Sequence, residues 1–168
     1  MTFWQDKKLN EMTREEWESL CDGCGKCCLH KLEDDDTGTV YYTDVACRML
    51  DLETISCRRY SDRKRYVANC VVLRPAAVKA ATLVKTGHMQ TAGEATANFD
   101  DTLRWMPPSC AYRLLAEGKA LPDWHPLVSG DRNSVHTAGM SVKGRVVDER
   151  LAGDFEDHLV EWPQKKAL

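Results

Sequence analysis

Four of the chain's eight cysteines fall within eight consecutive residues, Cys21-Asp22-Gly23-Cys24-Gly25-Lys26-Cys27-Cys28. Thiols at this density are rarely packing residues. A thiolate is a soft, strong metal ligand, and a closely spaced pair supplies two ligand atoms for little extra chain entropy. Gly23 and Gly25 admit the positive-φ backbone that lets a short loop wrap an ion. The spacing reads C-x2-C-x2-C-C. In a helix, Cys21, Cys24 and Cys28 would share one face, with Cys27 off to the side. In a loop, the first three converge and Cys28 points away. Either way the neighbours Cys27 and Cys28 are not expected to serve one ion with good geometry. One of them is expected to serve a second site, or to bridge two ions. The stretch offers three or four thiolates, so the remaining ligands must come from elsewhere.

The 168 residues fit one domain spanning 1–168, with 43% hydrophobic and 29% charged residues, near the globular norm. A formal charge of −3 gives no general drive toward nucleic acid or an anionic membrane. No apolar run approaches a membrane span, and the N-terminus lacks the apolar core of a signal peptide. A cytoplasmic address is therefore expected. In a reducing compartment, eight cysteines argue for metal or redox chemistry over four disulfides.

Along the chain, Thr13-Arg14-Glu15-Glu16 matches a capping box and predicts a short helix over 13–20, with Trp17 and Leu20 facing the core. Two β-favouring runs flank the acidic turn Glu33-Asp34-Asp35-Asp36-Thr37-Gly38 and predict a hairpin. That turn lacks the full arrangement of a calcium loop and reads as solvated. His30 reads as a strand histidine, with ligation as the alternative. Cys47, Cys57 and Cys70 come next. Five basic residues and two tyrosines lie between Arg58 and Tyr66, read as a solvated face or as charge balance for an anionic thiolate centre. Pro75 to Gly87 reads as a helix, and His88 to Asn98 as a loop. Ser109 is a candidate N-cap for a helix whose first turn holds Cys110. Pro122 and Pro126 predict a rigid, extended segment around Trp124 and His125. The C-terminal third reads as a strand broken by Gly144 and a final helix ended by Pro163. No phosphate-loop, dinucleotide or nucleophile-elbow motif is present.

Four stretches bear a resemblance: CDGCGKCCLH over 21–30, VACRML over 45–50, Cys57-x-x-Tyr60-x-x-Arg63, and CAYRLLAEGKALPDWHPLV over 110–128. On these the chain resembles the bacterial YcgN-like group of the zinc- or iron-chelating cysteine-cluster family (YkgJ-type proteins) named for C-x2-C-x2-C-C. The resemblance implies a metal-binding set of Cys21, Cys24, Cys27, Cys28, Cys47, Cys57, Cys70 and Cys110. Two departures stand out. Arg63 is followed by Lys64 where the broader family tends to have Pro, and 74–101 reads as an inserted segment able to shift Cys110 relative to the other thiols.

The expected fold is a small α+β domain, with short helices and a small sheet or hairpin around a cysteine-rich metal site. The expected function is binding of zinc or iron, the latter including an iron–sulfur cluster, with Tyr60, Arg63 and His125 as supporting polar residues. Two other classes stand beside it. One is a metal-dependent redox or transfer enzyme, which needs an open coordination position. The other is a metal-stapled module for a protein or nucleic-acid partner, supported only by the basic run.

Overall fold

Thr13 caps a helix as its sequence predicts. Its Oγ1 accepts the Glu16 N–H at 3.2 Å, and its own N–H donates to Glu16 Oε2 at 2.8 Å. The helix Arg14–Ser19 begins there. It buries Trp17, and Leu20 beyond its end is fully enclosed. The structure, a computed structural model, describes residues 2–73 and 99–163, without the side chains of 99–101. The predicted helix from Pro75 and the loop to Asn98 lie outside the described residues, as does most of the 74–101 segment.

Trp17 and Leu20 join Met12, Leu103, Met106, Ala111, Tyr112 and Leu121 in a first apolar core. Tyr112 Oη donates to Trp17 O at 2.8 Å, and Trp17 Nε1 donates to Leu73 O at 3.2 Å, so the polar tips of both rings are satisfied. The predicted hairpin forms from β1 (Leu29–Glu33) and β2 (Val40–Ala46), antiparallel. At its tip Asp34 Oδ1 accepts the amides of Asp36 and Thr37 at 3.1 and 2.7 Å. The acidic run is a turn built on its own backbone, with Gly38 at φ 67°.

Two further strands form a second hairpin, β3 (Leu50–Asp51) against β4 (Ser56–Cys57). The last strand, β5 (Val147–Asp148), runs parallel to β2 and completes a mixed sheet of order β1-β2-β5. A second core gathers Leu29, Ala46, Leu50, Ile55, Val142 and Trp162, and a third Cys24, Trp124, Val135 and Met140. The domain is thus α+β with short helices and a small mixed sheet. The cysteine stretch lies where the three cores meet: Leu20 is in the first, Cys24 in the third, and Leu29 in the second.

Several local expectations change. The strand expected over 140–147 shrinks to β5, because the Val142 N–H donates to Cys24 O at 2.9 Å and Gly144, at φ 72°, turns the chain directly after. The final helix is only a 3-10 turn, Phe155–His158. Cys110 is itself the N-cap of the helix Ala111–Ala116, not a residue of its first turn, and Ser109 is buried behind it. The segment around His125 is a turn leading into the helix Pro126–Ser129, which His125 caps.

Candidate metal centre

The stretch 21–28 is a loop that tightens into a 3-10 turn, Lys26–Cys28. Two left-handed glycines shape it, Gly23 at φ 76° and Gly25 at φ 79°. A Cβ on Gly25 would lie 2.6 Å from Ile55 Cγ2 and 2.7 Å from Val142 Cγ2, so this glycine serves close packing as well as backbone freedom. Asp22 Oδ1 accepts the Cys24 N–H at 2.9 Å and fixes the first bend. His125 Nδ1 accepts the Leu127 N–H at 3.1 Å, leaving Nε2 to donate to Leu20 O at 3.0 Å. Both ring nitrogens are thereby used within the protein. Burial holds the pKa of His125 down, and the neutral ring pins the carbonyl just before Cys21.

The cysteines fall into two neighbourhoods. Cys21, Cys24 and Cys110 each feel the charge of Cys27 and of Asp22. Burial pushes the Cys21 thiol well above its ordinary range, with further upward pushes from Cys27, Asp22 and Cys110. Burial likewise raises Cys24, followed by Asp22 and Cys27. Cys110 is pushed up to about 12, by burial first, with Asp22 and Cys27 adding to it. Backbone amides pull the other way: Gly23 N–H on Cys21, Lys26 N–H on Cys24, and Tyr112 and Arg113 N–H on Cys110. Cys21 presents surface to solvent, but the protein packed around its sulfur is dense enough to disfavour an isolated thiolate.

The second neighbourhood is set by backbone bonds. Cys47 N–H donates to Cys28 O at 2.9 Å, Leu50 N–H to Cys47 O at 2.8 Å, and Leu50 then pairs with Cys57 across β3 and β4. Cys28, Cys47 and Cys57 are therefore neighbours through the main chain. The Met49 N–H reaches Cys47 Sγ at 3.5 Å. Cys70 lies within electrostatic reach of Cys57 and of Cys27.

Cys27 and Cys28 join the two neighbourhoods, with their sulfurs 4.0 Å apart. A tetrahedron with metal–sulfur bonds of about 2.3 Å has edges of about 3.8 Å, so adjacency in sequence does not separate these sulfurs beyond a shared ion. The hydrogen bond between them holds Cys27 below its ordinary thiol range and pushes Cys28 far above it. Among the described residues, no three Cys, His, Asp or Glu side chains already sit as a metal-holding group. The donor chemistry nevertheless fits a soft divalent ion: many thiols, several under amide hydrogen bonds that favour the thiolate, and each raising the cost of ionising the next.

A family model for CxxCxxCC, described as "Putative zinc- or iron-chelating domain", matches residues 20–111. The chain belongs to the CxxCxxCC family. It is 53% identical over 165 residues to a UPF0260 protein of Shewanella oneidensis, covering 98% of each chain. A UPF0260 protein of Gluconacetobacter diazotrophicus is 55% identical over 161 residues, 96% of this chain and 87% of its own. One from Cellvibrio japonicus is 53% identical over 162 residues, 95% of each. No solved structure matches.

This CxxCxxCC domain surrounds its thiols with cations that the sequence alone did not single out. Lys26 is completely buried, its Nζ donating to Pro163 O at 2.8 Å and more weakly to Ser109 Oγ at 3.5 Å. Burial lowers its pKa, while Cys24, Asp22 and Cys110 pull it back up. Lys31 donates to Leu29 O at 2.8 Å and to Cys27 O at 3.2 Å; burial lowers it too, against the pull of Cys27 and Cys28. The signal for both was their place within or just after the cysteine run. From the basic stretch, the charge of Arg63 pulls the Cys70 thiol down against the burial that raises it. Arg63 donates to Tyr60 O and stacks 4.1 Å from the Tyr60 ring, while Tyr60 Oη donates to Glu18 Oε2 at 2.5 Å. Arg58 pairs with Asp51 and Arg59 with Asp62. His30 pairs with Glu149 and leans on Phe155, turned to that partner and not to a thiol.

No described helix is long and apolar enough to cross a membrane.

Proposed function

We propose that this protein binds two adjacent metal ions, zinc or iron, through its eight cysteines. Cys21, Cys24, Cys27 and Cys110 form one set, and Cys28, Cys47, Cys57 and Cys70 the other. The observation that supports this reading is the pairing of dense thiols with two lysine ammonium groups, one of them completely buried. Lys26 is enclosed beside the first set, and Lys31 lies at the seam between the two. A divalent ion with four thiolates carries a charge of about −2, and a buried cation is costly without such a partner. With neutral thiols, Lys26 would keep the charge of Asp22 but lose that of Cys24 and Cys110, and Lys31 would lose that of Cys27 and Cys28.

The loop also fits a second form of the same reading. Three cysteines at C-x2-C-x2-C spacing with a fourth far along the chain is an arrangement that iron–sulfur clusters use. Cys110 stands in that fourth place relative to Cys21, Cys24 and Cys27. Anaerobic purification with elemental analysis, acid-labile sulfide and a visible spectrum decides the matter. Two equivalents of zinc and no colour support paired zinc ions. Iron with sulfide and brown colour supports a cluster. Protein that folds with neither metal, and takes up neither on reconstitution, overturns the proposal.

A further inference from the structure

Asp22 is 8% exposed and lies between the first two cysteines. Its Oδ1 is used, accepting the Cys24 N–H at 2.9 Å. Its Oδ2 is buried and has no hydrogen-bond partner among the described residues. A buried carboxylate oxygen is rarely left this way. Lys26 does not take it, since its Nζ goes to Pro163 O and Ser109 Oγ. His125 has both ring nitrogens bonded elsewhere. Asp22 comes directly after Cys21, yet its side chain curls forward to the Cys24 amide, so carboxylate and Cys24 share one bend of the loop.

Resting on the metal-binding reading above, we propose that Asp22 is a metal ligand in its own right. Its Oδ2 gives a lone pair to the ion held by Cys21, Cys24, Cys27 and Cys110, making that site mixed thiolate and carboxylate. The site of Cys28, Cys47, Cys57 and Cys70 is sulfur only. An oxygen donor makes the first site harder than its neighbour, so the two ions are not equivalent. Asp22 then serves twice, with Oδ1 shaping the loop and Oδ2 binding the ion it wraps.

Cadmium substitution tests this in the full-length protein, because cadmium NMR gives one resonance per bound ion and moves upfield when oxygen joins sulfur. The expected wild-type spectrum has one resonance in the all-sulfur region and one upfield of it. In Asp22→Asn, which keeps an oxygen for the Cys24 N–H, only the upfield resonance should move. Affinity for that ion should fall at least about tenfold. Two all-sulfur resonances in the wild type overturn the inference whatever the variant does, and so does an Asp22→Asn spectrum identical to wild type. A wild-type protein that takes up no cadmium, zinc or iron defeats the metal-binding reading itself, a different result.

Discussion

Gly25 and Ile55 are fitted to each other across two elements: a Cβ on the glycine would lie 2.6 Å from Ile55 Cγ2, and Ile55 itself sits at φ 52°. A β-branched residue at positive φ is strained. Here the strain is held by burial, since Ile55 is 5% exposed among Leu50, Val142 and Leu29. The contact locks the cysteine loop onto the β3–β4 hairpin that ends in Cys57. Gly25→Ala should therefore destabilise the metal-loaded protein by about 2–4 kcal/mol, from overpacking and a left-handed alanine together. Urea unfolding checks this, with metal content measured on the same samples. An unchanged midpoint would show that the hairpin is not held by this contact.

The two-set arrangement makes a prediction about pairs of substitutions. Cys24→Ser and Cys110→Ser should each remove one ion, and their combination no more than one, because both empty the same set. Cys28→Ser with Cys47→Ser should behave likewise. Cys24→Ser with Cys47→Ser should remove both ions. Metal equivalents per folded protein in reducing buffer give the answer, and losses that simply add within a set would break the assignment.

Metal removal should loosen the fold. Structural zinc contributes apparent binding energies of about 10–16 kcal/mol at neutral pH, against typical domain stabilities of about 5–15 kcal/mol. The three small cores meet at the cysteine loop, so they lose their common anchor with the ion. A strong chelator should sharply lower the melting temperature and broaden amide signals around the loop. A melting curve unmoved after complete removal would mean that the ions serve function alone.

Lys26→Met should act with opposite sign in the two states. With metal bound, it removes a buried cation beside an anionic centre, and affinity should fall about 10–100-fold. Without metal, it removes an ammonium that burial penalises, so the apo variant should be at least as stable as apo wild type. Metal titration and denaturant unfolding of both forms test the pair of signs.

His158 supplies a pH dependence away from the cysteines. A hydrogen bond to Asp44 raises its pKa above the ordinary 6.5, aided by the carbonyl of Ala152. A raised folded-state pKa means stabilisation that is complete below 6.5 and lost as pH rises through the folded value. The stability advantage of wild type over His158→Gln should therefore be largest in mildly acidic buffer and shrink toward alkaline pH. A difference independent of pH would show that the contact does not depend on charge.

What the sequence made legible was local. Thr13 and Glu16 announced their helix, and the runs around Asp34 announced their hairpin, while the cysteine spacing left helix and loop open. What it hid was long-range. Nothing near Cys47 signals that its amide reaches Cys28 O, because that bond depends on how the hairpins stack. Nothing around Lys26 in the sequence signals that it is completely buried. Asp22 is not set apart in the sequence, and only the fold shows its second oxygen buried without a partner among the described residues. The C-terminal third misled by its apolar spacing: Val142 is buried by docking on Cys24 O, without a strand around it.

Leu73 and Leu103 bracket the 74–98 segment, and both pack on the cluster built around Trp17 and Leu20. The chain leaves this cluster at one point and rejoins it at another. Cys110 is held in place by the helix it caps, since Tyr112 Oη ties that helix to Trp17 O. The place of Cys110 is thereby set by its contacts to the Trp17 cluster rather than by its distance along the chain from Cys70.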